Sequence, residues 1–280
     1  MSWLVKELAK DRLALIGLFT IILLVAVAVV APVLAPYNPA ALDLTNRLAS
    51  PCFQHPMGTD SVGRDILSRI IFGTRVSLSV STIVVLIELT IGLVVGTAAG
   101  YLGRATDEIL MRLVDVLLAF PGIILALVIV GMLGPSLFNL IIALASVGWT
   151  RYARLVRGTI LAVKGERFVE ASSAIGCGRF WIICRHIMPH ILSPVIVLAT
   201  LNMGSIIISI AGLSFLGLGA QPPTAEWGIM LSQGKPFMES APHLMIFPGL
   251  MIMITVLAFN FLGDGFRDAL DTRLKETVNV

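Results

Sequence analysis

The sequence is 280 residues long, 57% hydrophobic and only 13% charged, with a net charge of +3 and a mean hydropathy of +0.94. A soluble domain carries about 25% charged residues, so this composition excludes a water-soluble enzyme or nucleic-acid binder and requires an integral membrane protein. The small positive excess sits on connecting segments, where it speaks of topology.

Residues 1–12 form a polar head with Lys6, Lys10 and Arg12. The uncharged run from Leu13 to Pro36 then extends about 35 Å as a helix, enough to cross a hydrocarbon core of about 30 Å. It is too long for a signal-peptide core and has no convincing cleavage motif, so it is expected to remain as a first span with its head in the cytosol. Tyr37 to Arg75 reads as an outer loop. Within it Asp60, Arg64, Asp65 and Arg69 alternate in sign at spacings that allow mutual neutralisation. They are equally readable as a solvated cap or as a substrate gate.

A second span, Val76 to Gly100, contains Glu88 near its middle. A carboxylate there costs on the order of 2.5 kcal/mol or more, so it must face the bundle interior, find a partner or hold a proton. Two readings stay open: a protonated Glu88 bonded to a neighbouring helix, and an ionised Glu88 that meets a cation. Gly92, Gly96 and Gly100 repeat every four residues and favour close helix packing. The third span, Leu113 to Leu133, carries Pro121 and Gly122, which can kink it and free carbonyls toward a cavity. Arg112 and Asp115 at its start are expected to pair with each other.

The fourth span runs from Leu137 to Thr150 and continues as a helix with Arg151, Arg154 and Arg157 on one face. The longest charged interruption follows, residues 165–194. Phe168, Ala171 and Ile175 share one helical side and Glu166, Glu170 and Ser173 the other, which predicts a short amphipathic helix. Gly176 stops it, because a helix terminus needs left-handed backbone. Arg179 to Met188 then start a second short helix that Pro189 restricts. In the fifth span, Val195 to Leu218, Asn202, Ser205 and Ser209 form a polar stripe able to line a passage or to bond between helices. Leu244 to Leu262 is the sixth span. Most of the 20 lysines and arginines fall on segments that this topology puts in the cytosol. Cys52, Cys177 and Cys184 are too scattered for a disulfide framework and read as reduced packing residues.

The run Glu170, Ala171, Ser172, three residues, Gly176, nine residues, His186, Ile187, Met188, Pro189 resembles the "EAA" loop of binding-protein-dependent ABC importer permeases, with Ser172, His186 and Met188 as departures. In that family the loop is the coupling helix that docks on the ATPase subunit. The resemblance therefore assigns ATPase coupling to Glu170, Ala171, Ser172, Gly176 and Pro189. His55 to Asp65 is similar to the H-P-x-G-T-D-x-x-G-R-D pattern of the peptide and nickel branch. Ser214 to Gly228, with Pro222-Pro223 and Glu226-Trp227, resembles the same branch. Asp60, Arg64, Asp65, Glu226 and Trp227 become candidates for an outer gate or mouth. The resemblance extends over nearly the whole chain and gives Glu88 no role.

The expected architecture is an all-α integral membrane protein with six transmembrane helices, both termini cytosolic, and a cytosolic coupling helix between spans four and five. Residues 1–75 hold the head, first span and outer loop, 76–263 the permease core with its coupling loop at 157–194, and 264–280 a cytosolic tail. Glu88, Asn202, Ser205 and Ser209 are the candidates for the translocation pathway. No G-x-x-x-x-G-K-[ST] sequence occurs, so the chain does not bind ATP in that way. No catalytic residue, metal site or cofactor is assigned to it. The resemblance implies a homologous second permease, two ATPase subunits that bind ATP and Mg, an extracytoplasmic solute-binding protein and a bacterial inner membrane. The implied cargo is nickel, free or chelated, or short peptides. The short head and the wording VLATLNMG and PHILSP are closer to nickel permeases, and His55, Met57 and His243 are compatible with a metal. The rival from another class is a secondary transporter driven by an ion gradient, for which no convincing internal repeat is seen.

Overall fold

The computed structural model describes Leu8 and residues 10–278, with side chains as far as residue 270. Lys6 and most of the expected head lie outside the described residues, as do the side chains of the expected tail beyond 270. All regular structure among the described residues is helical apart from one isolated bridge between Thr59 and Asp65.

Helix α1 (Arg12–Leu34) starts on Asp11, whose carboxylate accepts from the Leu13 N–H at 2.8 Å. Helix α2 (Ile66–Leu102) starts before the expected Val76 and takes in the last ten residues read as outer loop, Arg69 among them. It forms there because Asp65 caps it, accepting from the Ser68 N–H at 2.7 Å, and because Ile66 and Ile70 bury against Trp227, Met230 and Leu244.

The expected third span is two helices, α3 (Arg104–Leu118) and α4 (Gly122–Leu133), which meet at 86°. Pro121 has no N–H to offer and disfavours helical backbone at Phe120, so the helix ends there and restarts after it. With 12 residues α4 is about 18 Å long, short of a hydrocarbon core. The expected Arg112–Asp115 pair is replaced by a tertiary one, in which Arg154 donates to Asp115 at 2.6 Å.

Helix α5 (Leu137–Lys164) is continuous through its three arginines. After the short α6 (Arg167–Ala174), α7 (Arg179–Phe215) runs without a break through the region where a separate second short helix was expected. One π turn at Ile183–Ile187, with the Met188 N–H bonded to the Ile183 carbonyl, absorbs Pro189. Helices α8 (Trp227–Gly234) and α9 (His243–Val278) complete the chain, and α9 continues through the expected sixth span into the expected tail.

Among the described residues α1, α2, α7 and α9 are long and apolar enough to cross a membrane, and the bent pair α3/α4 makes a fifth if it counts as one span. The central contact is α2 on α5. A Cβ on Gly96 would lie 2.6 Å from the Ala153 carbonyl, one on Gly100 2.9 Å from Cβ of Ile160, and one on Gly92 would overlap Tyr152. The glycine repeat therefore lets the two backbones approach. Val80, Val84, Leu140, Leu144, Ile206 and Ile210 fill the adjoining core of α2, α5 and α7. Helix α1 packs on α2 and α9 and leaves Phe19, Val29 and Val33 exposed, as a lipid-facing helix does.

Candidate translocation and coupling sites

At one end of the bundle α6 is held against α5 and α7 by Val169, which joins Tyr152, Val156, Ile182 and Ile187 in a buried cluster. Ser172, also buried, donates to the Phe168 carbonyl at 2.8 Å and lies 3.2 Å from Nε2 of His186. Both sides read from the sequence are exposed, Phe168, Ala171 and Ile175 (Ile175 by 81%) as well as Glu166, Glu170 and Ser173, and the residues that pack are Val169 and Ser172. Glu170 is exposed beside them. Gly176 has φ +85°, and the N–H groups of Gly176 and Cys177 close back on the carbonyls of Ser173 and Ser172 at 3.1 Å each. That double closure ends α6 and needs a residue free to adopt left-handed backbone. Pro189 is on α7 just past the π turn.

In the middle of the bundle Glu88 is 1% exposed. Its Oε2 accepts from Nδ2 of Asn202 at 2.6 Å, and the same amide reaches Oη of Tyr152 at 3.2 Å. Oε1 lies against Gly148, where a Cβ would occupy its place, and has no partner. Glu88, Gly148, Arg151, Asn202, Ser205 and Ser209 all border a cavity of about 430 Å³ between α5, α7 and the α3/α4 bend. All four pathway candidates thus border one cavity. A second cavity of about 800 Å³ shares Leu118 and Arg151 with the first and is bordered by Arg154, His190 and Arg267. His190 also stacks on Phe168 of α6, ring centroids 5.7 Å apart, so the wall of this cavity touches the displayed helix.

At the opposite end Asp60, Arg64 and Asp65 of the loop before α2, and Arg69 in its first turn, are buried. Asp60 accepts from Arg64 Nε at 2.6 Å and lies 3.7 Å from Arg69, and both arginines donate to Oε1 of Gln233 on α8. Asp65 caps α2 and contacts Nδ1 of His55 at 2.9 Å. Glu226 caps α8 by accepting from the N–H groups of Gly228 and Ile229 at 2.9 and 3.0 Å. Burial pushes its carboxyl above the ordinary value, against the pull of those N–H groups. Trp227 is fully buried and its Nε1 points to the Ile70 carbonyl at 3.4 Å. All five gate candidates are therefore interior groups that fasten α2, α8 and the loop together.

Sequence reasoning missed Gly148 and Tyr152 beside Glu88, and Gln233 between the two arginines. Gly148 had a signal, a glycine in an apolar span three residues before an arginine. Gln233 had none, since its arginine partner Arg64 is 169 residues away.

With this geometry in hand, the chain matches the family model described as "Binding-protein-dependent transport system inner membrane component" over residues 92–276. Residues 3–51 match the "N-terminal TM domain of oligopeptide transport permease C". The chain is 46% identical over 270 residues to the "Dipeptide transport system permease protein DppC" of Alkalihalophilus pseudofirmus, covering 96% of this chain and 89% of that protein. It is 45% identical over 271 residues to the "Glutathione transport system permease protein GsiD" of Escherichia coli O157:H7, with the same coverage of 96% and 89%. Among solved structures it is similar to a chain of the MetNI methionine ABC transporter in an inward-facing conformation, with a TM-score of 0.58 at 20% identity over 73% of this chain and 97% of that one. That likeness shows a shared fold.

Proposed function

Because the chain belongs to the inner-membrane components of binding-protein-dependent transport systems, we propose that it is the permease subunit of an ATP-driven importer of short peptides. It forms half of the pathway, and a homologous second permease forms the other half. Two ATPase subunits bind ATP and Mg, and an extracytoplasmic solute-binding protein delivers the cargo. The observation that carries this reading is α6: a short helix displayed at one end of the bundle, ended by left-handed Gly176, with Glu170, Ala171 and Ile175 exposed beside a buried anchor at Val169 and Ser172. This is the form of a docking element that receives motion from a partner.

In this reading α6 and both termini face the cytosol, and the bent pair and α5 join the four long apolar helices to give six spans. The outer loop ends at Ile66, where α2 begins, and the permease core follows. Glu170 and Ala171 meet the ATPase, Ser172 ties them to His186, Gly176 sets the bend, and Pro189 shapes the root of α7. ATP closure turns the cavity beside Glu88, Asn202, Ser205 and Ser209 outward, and hydrolysis returns it inward. Asp60, Arg64, Asp65, Glu226 and Trp227 hold the shape of the outer mouth as a fixed frame.

Peptide is preferred over nickel because the relatives are named for dipeptide and glutathione transport, and the sequence's lean to nickel finds no support among them. A carrier driven by an ion gradient is not favoured by the family. Uptake of radiolabelled dialanine and of radiolabelled nickel, compared between cells with and without this gene, tests the assignment. Loss of dialanine uptake alone is expected, and loss of nickel uptake alone contradicts it.

A further inference from the structure

We propose that the cavity bordered by Glu88 and Arg151 is a binding site within the permease for a zwitterionic peptide, with the α-ammonium group on the Glu88 carboxylate, turned from its contact with Gly148 into the cavity, and the carboxylate on the Arg151 guanidinium. The inference rests on the peptide reading above and gives it a site.

The first support is an unmet acceptor. Buried polar atoms are nearly always hydrogen-bonded, and an exception calls for a role. Glu88 is 1% exposed, Asn202 satisfies Oε2, and Oε1 has no partner. Oε1 occupies the space that any side chain at residue 148 would fill, and Glu88 and Gly148 both border the cavity. An ammonium group brings the donors that Oε1 lacks.

The second support is an unpaired cation on the same wall. Arg151 follows Gly148 by three residues, on the same face of α5. Arg154 and Arg157 of that helix are held by Asp115 and Asp107, whereas Arg151 makes no ion pair among the described residues and borders the cavity. A guanidinium fork matches a carboxylate in two parallel bonds.

Size and lining agree. The volume of about 430 Å³ is within the roughly 300–1,000 Å³ of small-molecule sites. The rest of the lining includes Phe120, Ala126 and Leu144 together with Ser205 and Ser209. Such a lining reads the two ends that every free peptide has and leaves its side chains unread. The neighbouring cavity, with Arg154 and Arg267, offers the carboxylate its next cationic contacts.

The test uses the assembled permease pair and ATPases in lipid nanodiscs without binding protein, and measures equilibrium binding of radiolabelled dialanine against N-acetyl-dialanine and dialanine amide. In the unaltered complex each block weakens binding by about tenfold or more, the loss of one charge-assisted contact. Glu88→Gln removes the preference for the free amine and keeps that for the free carboxylate; Arg151→Gln does the reverse. Glu88→Asp keeps the charge and the amine preference, which preserves the readout if Gln impairs assembly. A purely structural role for either residue would change affinity for all three peptides alike. Equal binding of free and blocked peptides, absence of saturable binding, or a uniform loss in both variants overturns the site. Dialanine uptake by cells carrying the complete transporter separates the two failures. If uptake is present while blocked and free peptides bind alike, only the site falls; if uptake is absent, the peptide reading falls and the site with it.

Discussion

Asn202 and Glu88, 114 residues apart in the sequence, meet inside the bundle with Nδ2 of one donating to Oε2 of the other at 2.6 Å. The amide also reaches Tyr152, so one side chain serves α2 and α5 from α7. Asn202→Leu leaves both oxygens of Glu88 without a donor and is expected to destabilise the permease by about 1–3 kcal/mol. The double variant Glu88→Leu/Asn202→Leu removes both partners, so its loss should fall short of the sum of the single losses by about 1 kcal/mol. Unfolding in detergent of all four forms measures this, and strictly additive losses would show that the pair is not coupled.

Helix approach between α2 and α5 depends on residues without side chains. Gly96→Leu places atoms where the Ala153 carbonyl and Val156 already stand, and such overpacking costs about 1–3 kcal/mol or prevents assembly. Gly158→Ala on α5 meets nothing within 4 Å and should be tolerated. Yields of assembled complex at equal expression compare the two, and normal assembly of Gly96→Leu contradicts the packing described.

In the proposed coupling role, the property that matters at Gly176 is its backbone. Its φ of +85° strains any β-branched residue by at least the roughly 1–2 kcal/mol of a left-handed L-residue. Gly176→Val is expected to insert and assemble while losing most transport and the stimulation of ATPase by loaded binding protein. Gly176→Asn, which tolerates this backbone better, retains more of both. Transport by the Val variant at the unaltered rate would remove α6 from the coupling route.

Topology can be read from two native thiols. Cys52 and Cys184 are exposed at opposite ends of the bundle, and Cys177 is half-buried. In forms retaining one cysteine each, a membrane-impermeant maleimide should label Cys52 in intact spheroplasts and Cys184 only after permeabilisation. The opposite pattern inverts the proposed orientation.

Much of this was legible in the sequence where a single residue decides the outcome. Pro121 announced the break between α3 and α4, Gly176 the end of α6, and the glycine repeat a close helix contact, though not its partner α5. What escaped depends on partners distant in sequence. Asp60, Arg64 and Arg69 were equally readable as a solvated cap or a gate, because nothing local reveals that Gln233 will accept from both arginines inside the bundle. Which side of α6 packs was not legible because this helix has apolar groups on more than one side: Val169 packs inward, while Phe168 and Ile175 are exposed. Glu88 and Asn202 were each conspicuous as polar residues in apolar helices, but their meeting is a property of the packed bundle.

The most direct measurement of the central claim is reconstitution in liposomes of this chain, alone and together with its second permease, two ATPases and solute-binding protein. Dialanine should accumulate only in the complete assembly, only with ATP and Mg on the ATPase side, and only with binding protein on the other. Accumulation by this chain alone, driven by an imposed ion gradient and indifferent to ATP, would contradict the account.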